Sequence, residues 1–138
     1  MLTKITHSHV WVLDQQEALD FYVGKLGLEV RQDIPLGFMR WLTVGVPGDP
    51  DREILLEIPG PPSMDEKTAQ QVREVLSKGA TGLAIGFRTD DCRGLYERLK
   101  AQGVEFTQEP TERSYGVDCG VRDPFGNQIR IVQPAGGR

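Results

Sequence analysis

The stretch ALDFYVGKLGLEV, residues 18–30, decides how this chain of 138 residues is read. Ala18, Leu19, Tyr22, Val23 and Leu26 recur at the spacing of one helix face, and Gly27 follows as a helix stop. Just upstream, Asp14 and Glu17 form D-x-x-E, a helix-start signal, because the Asp side chain can accept from unpaired N–H groups of the first turn. Just downstream, LEVRQDI is strand-like. The same order of signals returns after a fixed shift of 90 − 14 = 76 residues. Asp14 maps onto Asp90, Leu19 onto Leu95, Gly27 onto Gly103, Glu29 onto Glu105, Val30 onto Phe106 and Gln32 onto Gln108. These matches fall at helix starts, helix ends and strand entries, which is the mark of an internal repeat.

The flanks complete each copy. Before Asp14, residues 5–13 alternate, with His7, His9 and Trp11 on one face and Val10 and Val12 on the other, as a strand requires. After the helix come LEVRQDI, FMRWLTVGV and REILLEI, separated by turns rich in Gly or Pro. In the second copy GLAIGFRT precedes the helix, and VEFTQE, GVDCGVR and NQIRIVQ follow it. Between the copies, prolines 59, 61 and 62 exclude regular structure. Ser63 and Glu66 then form a capping-box pattern ahead of an amphipathic helix with Ala69, Val72, Val75 and Leu76, which Gly79 stops. The expectation is an α+β protein: one domain over 1–138, two βαβββ modules at about 1–60 and 80–134, and a connecting helix at about 63–78.

Composition excludes several classes of function. Sixteen Lys and Arg against 20 Asp and Glu give a net charge of −4, and no basic patch with interleaved aromatics is present, so no nucleic-acid partner is expected. No apolar run approaches the roughly 20 residues of a membrane span, so no membrane partner is expected either. The N-terminal MLTKITHSH lacks the apolar core of a secretion signal, and Cys92 and Cys119 read as two unrelated buried thiols; both suit a cytoplasmic protein. There is no G-x-S-x-G, no phosphate-binding glycine loop and no H-E-x-x-H.

The chain resembles the vicinal oxygen chelate superfamily, which includes glyoxalases, extradiol dioxygenases and bleomycin-resistance proteins. The resemblance spans nearly the whole chain and rests on ALDFYVGKLGLEV, ILLEI, TDDCRGLYERLKAQGVEF and the terminal RDPFGNQIRIVQP. It implies a curled mixed sheet around a cleft, often completed by a second subunit, and hence a homodimer. It also implies four ligand positions for a divalent metal such as Zn, Fe, Ni or Mn, on the first, fourth, fifth and eighth strands. In this chain they fall on His7, Glu57, Leu83 or Ala84, and Arg130. Leu and Ala cannot ligate, and Arg brings a permanent positive charge where a carboxylate should be. The resemblance therefore implies no metal cofactor here.

The two histidines, His7 and His9, leave three readings open. Residues i and i+2 of a strand share a face about 6.6 Å apart, so His7, His9 and Glu57 together could form a two-histidine, one-carboxylate metal set. Without metal, His7 and Glu57 could act as a catalytic acid–base pair in a glyoxalase- or dioxygenase-like enzyme. In the third reading, His7, Glu57 and Arg130 line a pocket for a small molecule, as in bleomycin resistance, and Glu57 pairs with Arg130. Trp11, Trp41 and Phe38, expected in strands, and Arg113 and Tyr115, expected in a loop, PTERSYG, are the further ligand-binding candidates. An uncompensated Arg130 would favour an anionic ligand over a cationic one.

Overall fold

A computed structural model describes residues 1–137. The elements run β1 (His7–Trp11), α1 (Gln15–Tyr22), β2 (Glu29–Pro35), β3 (Arg40–Gly45), β4 (Glu53–Glu57), α2 (Glu66–Ser77), β5 (Leu83–Arg88), α3 (Cys92–Ala101), β6 (Glu105–Arg113), β7 (Gly116–Arg122) and β8 (Gln128–Pro134), with a short 3₁₀ turn after β8. Two compact units result, Met1–Glu74 and a second that begins at Val75. Each carries one four-stranded mixed sheet, in the order β1-β4-β3-β2 and β5-β8-β7-β6. The first and last strands of each module run parallel, and the hairpin strands run antiparallel.

The repeat extends to irregularities. In β2 the register shifts between Val30 and Gln32, and in β6 between Phe106 and Gln108, so a bulge recurs 76 residues on. Gly27 and Gly103 take φ of +81° and +83°, where a side chain would be strained. The helix starts shift by 77 instead: Asp14 caps α1 by accepting from the Glu17 N–H at 2.8 Å, and Asp91, not the expected Asp90, caps α3 by accepting from the Gly94 N–H at 2.9 Å.

Local details of the joint also differ from expectation. Ser63 does not cap α2; its hydroxyl donates to the Gly60 carbonyl, while Asp65 accepts from the Thr68 N–H at 2.8 Å. Asp65 supplies a carboxylate two residues nearer the first turn, and a charged acceptor outcompetes a hydroxyl. In α1 the helix proper ends at Tyr22, and turns carry the chain to Gly27.

Each sheet packs an apolar face against its own helix. In the first module Val10, Val12, Leu42, Val44 and Leu56 are buried, and α1, with Ala18, Phe21 and Tyr22 buried, lies against β4. In the second, Cys119, Val121, Ile129 and Ile131 are buried and α3 supplies Cys92 and Leu99. The turn at Asp123–Asn127 is tightly bound: Asp123 Oδ1 accepts from the N–H groups of Phe125, Gly126 and Asn127. A Cβ on Gly126 would meet the Leu76 carbonyl oxygen at 1.9 Å, so only glycine fits there.

Candidate functional site

Strand alternation places a set of polar and aromatic residues on the open face of the first sheet. Because side chains at i and i+2 share a face, β1 contributes His7, His9 and Trp11, and β4 contributes Glu53, Leu55 and Glu57. β3 contributes Trp41 and Thr43, and β2 contributes Gln32 and Ile34. Cross-strand register sets His7 opposite Glu53, His9 opposite Leu55, Trp11 opposite Glu57, Thr43 opposite Leu55, and Ile34 opposite Trp41.

This register reassigns the histidine partners. Glu57 meets His9, with Oε1 3.5 Å from Nδ1, and not His7. That separation is at the outer edge of hydrogen-bonding distance. The His7 ring stands edge-to-face against Trp41 at 5.2 Å, and its Nδ1 lies 3.0 Å from the Thr6 hydroxyl. The His9 ring stands edge-to-face against Trp11 at 4.6 Å. His7, His9 and Glu57 therefore do not converge, and among the described residues no three His, Cys, Asp or Glu side chains form a group that could hold a metal. The fixed His7–Glu53 and Trp11–Glu57 pairings separate them.

The repeat itself bears on the metal positions. Gln32 pairs with Thr43 and Gln108 with Gly120; Thr43 in turn pairs with Leu55, and Gly120 with Arg130. By this register Leu55, not Glu57, is the first-module counterpart of Arg130. The donor set at repeat-equivalent positions is thus poorer than the sequence implied, and the residues present do not fit a divalent cation.

Glu53 is a residue that the sequence reading passed over. Its Oε1 accepts from the Thr43 hydroxyl at 2.7 Å and from the Gln32 amide at 2.8 Å. Those two hydrogen bonds hold its carboxyl below the usual glutamate range, with smaller help from the Arg31 and His7 side chains nearby. The alternation of REILLEI, which puts Glu53 on the face of Glu57, carries the signal.

Cavities open on this module. One, of about 440 Å³, is lined by Gln15, Phe38, Arg40, Glu57 and the proline-rich turn Pro59–Ser63. Phe38 lies in the β2–β3 turn, not in a strand, and is 65% exposed. Gln15 is fixed by donating to the Leu56 carbonyl at 2.9 Å, and Arg40 is committed to Asp33 through two bonds of 2.8 and 2.9 Å. The second cavity, of about 350 Å³, is bounded by His7, Gln32, Ile34, Leu36, Trp41 and Glu53.

The second module holds the remaining candidates around Asp118, another residue the sequence reading passed over. Arg130 donates to Asp118 Oδ2 at 2.6 Å and to Gln108 Oε1 at 3.0 Å. The Tyr115 hydroxyl donates to Asp118 Oδ2 at 2.5 Å, Gln108 donates to Oδ1 at 3.0 Å, and Arg113 stands 3.4 Å from Oδ1. The segment PTERSYG is not a loop: β6 runs on to Arg113, and only Ser114 and Tyr115 form the turn. The expected Arg130–Glu57 pair is replaced by this network, because Asp118 faces Arg130 on the adjacent strand. Burial alone would raise the Asp118 carboxyl; the Tyr115, Arg130 and Gln108 hydrogen bonds and the Arg130 charge outweigh it and hold the group well below the usual carboxylate range. Alternation within GVDCGVR, which sets Asp118 opposite in face to buried Cys119, carries the signal.

Cys92 and Cys119 are not unrelated. The two buried sulfurs lie 3.6 Å apart, one at the start of α3 and one in the middle of β7. Burial first, and then the Cys92 sulfur, push the Cys119 thiol up to about 12.

Two βαβββ modules, each with a helix packed against one face of its four-stranded mixed sheet, define a paired-module α+β class of fold. The chain belongs to the Glyoxalase/Bleomycin resistance protein/Dioxygenase superfamily, whose model matches residues 4–131. It is 40% identical to UcmS2 in crystal structure, with a TM-score of 0.88 over 96% of this chain and 98% of that one. It is 30% identical to TnmS3, an antibiotic binding protein from Streptomyces sp. CB03234, with a TM-score of 0.76 over 97% and 98% of the two chains. It is also 37% identical to the uncharacterized protein YurT of Bacillus subtilis (strain 168), over 94% of this chain and 98% of that protein. No described helix is long and apolar enough to cross a membrane.

Proposed function

We propose that this chain binds a small, planar organic molecule on the open face of its first sheet, without a metal. The observation that carries the reading is the lining of that face. Trp41 and His7 border one cavity and Phe38 and Glu57 the other, so flat apolar surfaces stand beside hydrogen-bonding groups, as ligand pockets require. The likeness to TnmS3, described as an antibiotic binding protein, supports binding over turnover. Arg130, Arg113 and Tyr115 serve in this reading as a pre-ordered polar group around Asp118 rather than as catalysts. An enzymatic reading would rest on His9 and Glu57, whose 3.5 Å separation is long for a working proton relay.

Calorimetric titration with a panel of planar aromatic compounds, acridine among them, tests the proposal in buffer containing a chelator. Saturable binding that Trp41→Ala weakens at least tenfold is the expected result. Binding that appears only when zinc, iron, nickel or manganese is added, or that ignores Trp41, would overturn it.

A further inference from the structure

We infer that Glu53 is the anchor for a positively charged nitrogen, so that the ligand class of the open face is a planar aromatic cation. The inference rests on the proposed function and deepens it. Glu53 presents one oxygen, Oε1, to Thr43 and Gln32, which fixes the carboxylate plane. Among the described residues, Oε2 has no hydrogen bond within the protein, and the residue borders the 350 Å³ cavity with His7, Trp41, Ile34 and Leu36.

The charges around it are already spent elsewhere. Arg31, the cationic side chain whose field reaches Glu53, donates to Glu29 and to the carbonyls of Val46 and Asp49. Arg40 is held by Asp33, and Lys4 by Asp51. Arg130, the one feature that pointed to an anionic ligand, is compensated by Asp118. What is left on the face of the first sheet is carboxylate, from Glu53 and Glu57, beside an indole whose π-face attracts cations. The two hydrogen bonds that keep Glu53 ionised also keep it from needing an internal counter-ion, which leaves its charge available to a ligand.

A charge-matched pair of probes separates this inference from the one beneath it. 9-Aminoacridine is cationic at neutral pH; acridine has the same flat frame and is neutral. Calorimetry at pH 7.5 should show 9-aminoacridine binding at least tenfold more tightly than acridine to the wild-type chain. Glu53→Gln, which keeps an acceptor for Thr43 and Gln32, should bring the ratio to within about twofold while leaving acridine binding in place. Glu17→Gln, at an exposed position on the helix that covers the other face of the sheet, should leave the ratio high. If acridine binds and 9-aminoacridine gains nothing, or if Glu53→Gln keeps the preference, the cation assignment fails and the small-molecule reading stands. If neither probe binds, both fail together.

Discussion

Arg130 donates to the carboxylate of Asp118 at 2.6 Å, across adjacent strands β8 and β7, and Asp118 is buried while the guanidinium is about one-third exposed. The cation is therefore neutralised within its own module, by a carboxylate that Tyr115, Gln108 and Arg113 also hold.

Removing one partner should cost more than removing both. Asp118→Asn removes the charge and one of the two acceptor oxygens shared by Arg130, Tyr115 and Gln108 and should lower stability by about 2 kcal/mol, the scale of hydrogen bonds to a charged group. Arg130→Met should also destabilise, and the double variant should recover part of the combined loss. Urea unfolding of the four proteins measures this; strictly additive losses would show that the two side chains act independently.

The same carboxylate sets an acid limit. Its folded pKa lies below the unfolded value of about 3.9, so its contribution is complete above that value and is lost as pH falls through it toward the folded one. Between pH 5 and pH 2 the wild-type chain should lose stability more steeply than Asp118→Asn, as read from urea midpoints at each pH. Parallel curves would contradict the assignment.

Cys92 and Cys119 should be inert thiols in the folded protein. Both sulfurs are buried away from reagents, and the Cys119 thiol, raised to about 12, holds almost no thiolate at pH 8. Iodoacetamide should label neither cysteine within an hour in native buffer and both within minutes in guanidinium, counted by intact mass. Rapid native labelling of either one would show that the α3–β7 contact opens readily.

Dimerisation is the outcome we expect from the sheet edges. Within their sheets β1, β2, β5 and β6 are the outer strands, and Val30 and Ile34 on β2 and Leu83 on β5 are 45%, 43% and 63% exposed. Apolar edge strands invite pairing or cover. Sedimentation at micromolar concentration should give about twice the mass of 15.4 kDa; a monomer across the whole range would refute a shared assembly.

The repeat was legible because its signals are local. Asp14 before a helical run, Gly27 and Gly103 after one, and alternating apolar residues in strands act over a few positions, and the structure follows them. What depends on register was not legible. The bulges at Arg31 and Thr107 alter which residues oppose each other along the hairpins, and no single segment announces its cross-strand neighbour. Hence Glu57 was matched with His7 and Arg130 when its partner is His9, Arg130 was left without Asp118, and the Cys92–Cys119 contact went unseen. Alternation alone places Glu53 and Asp118 on the sheet faces turned away from the helices, but only pairing shows that each is held by named neighbours.

Both tryptophans of this chain, Trp11 and Trp41, lie on the open face of the first sheet, each edge-on to a histidine ring. No third indole elsewhere dilutes them. The tryptophan emission of the protein is thus the emission of this one surface, and a molecule that settles on it acts on both emitters rather than on one of many. The fold carries its own optical reporter, so occupancy can be followed in unlabelled protein, at nanomolar concentration, before the occupant has been identified.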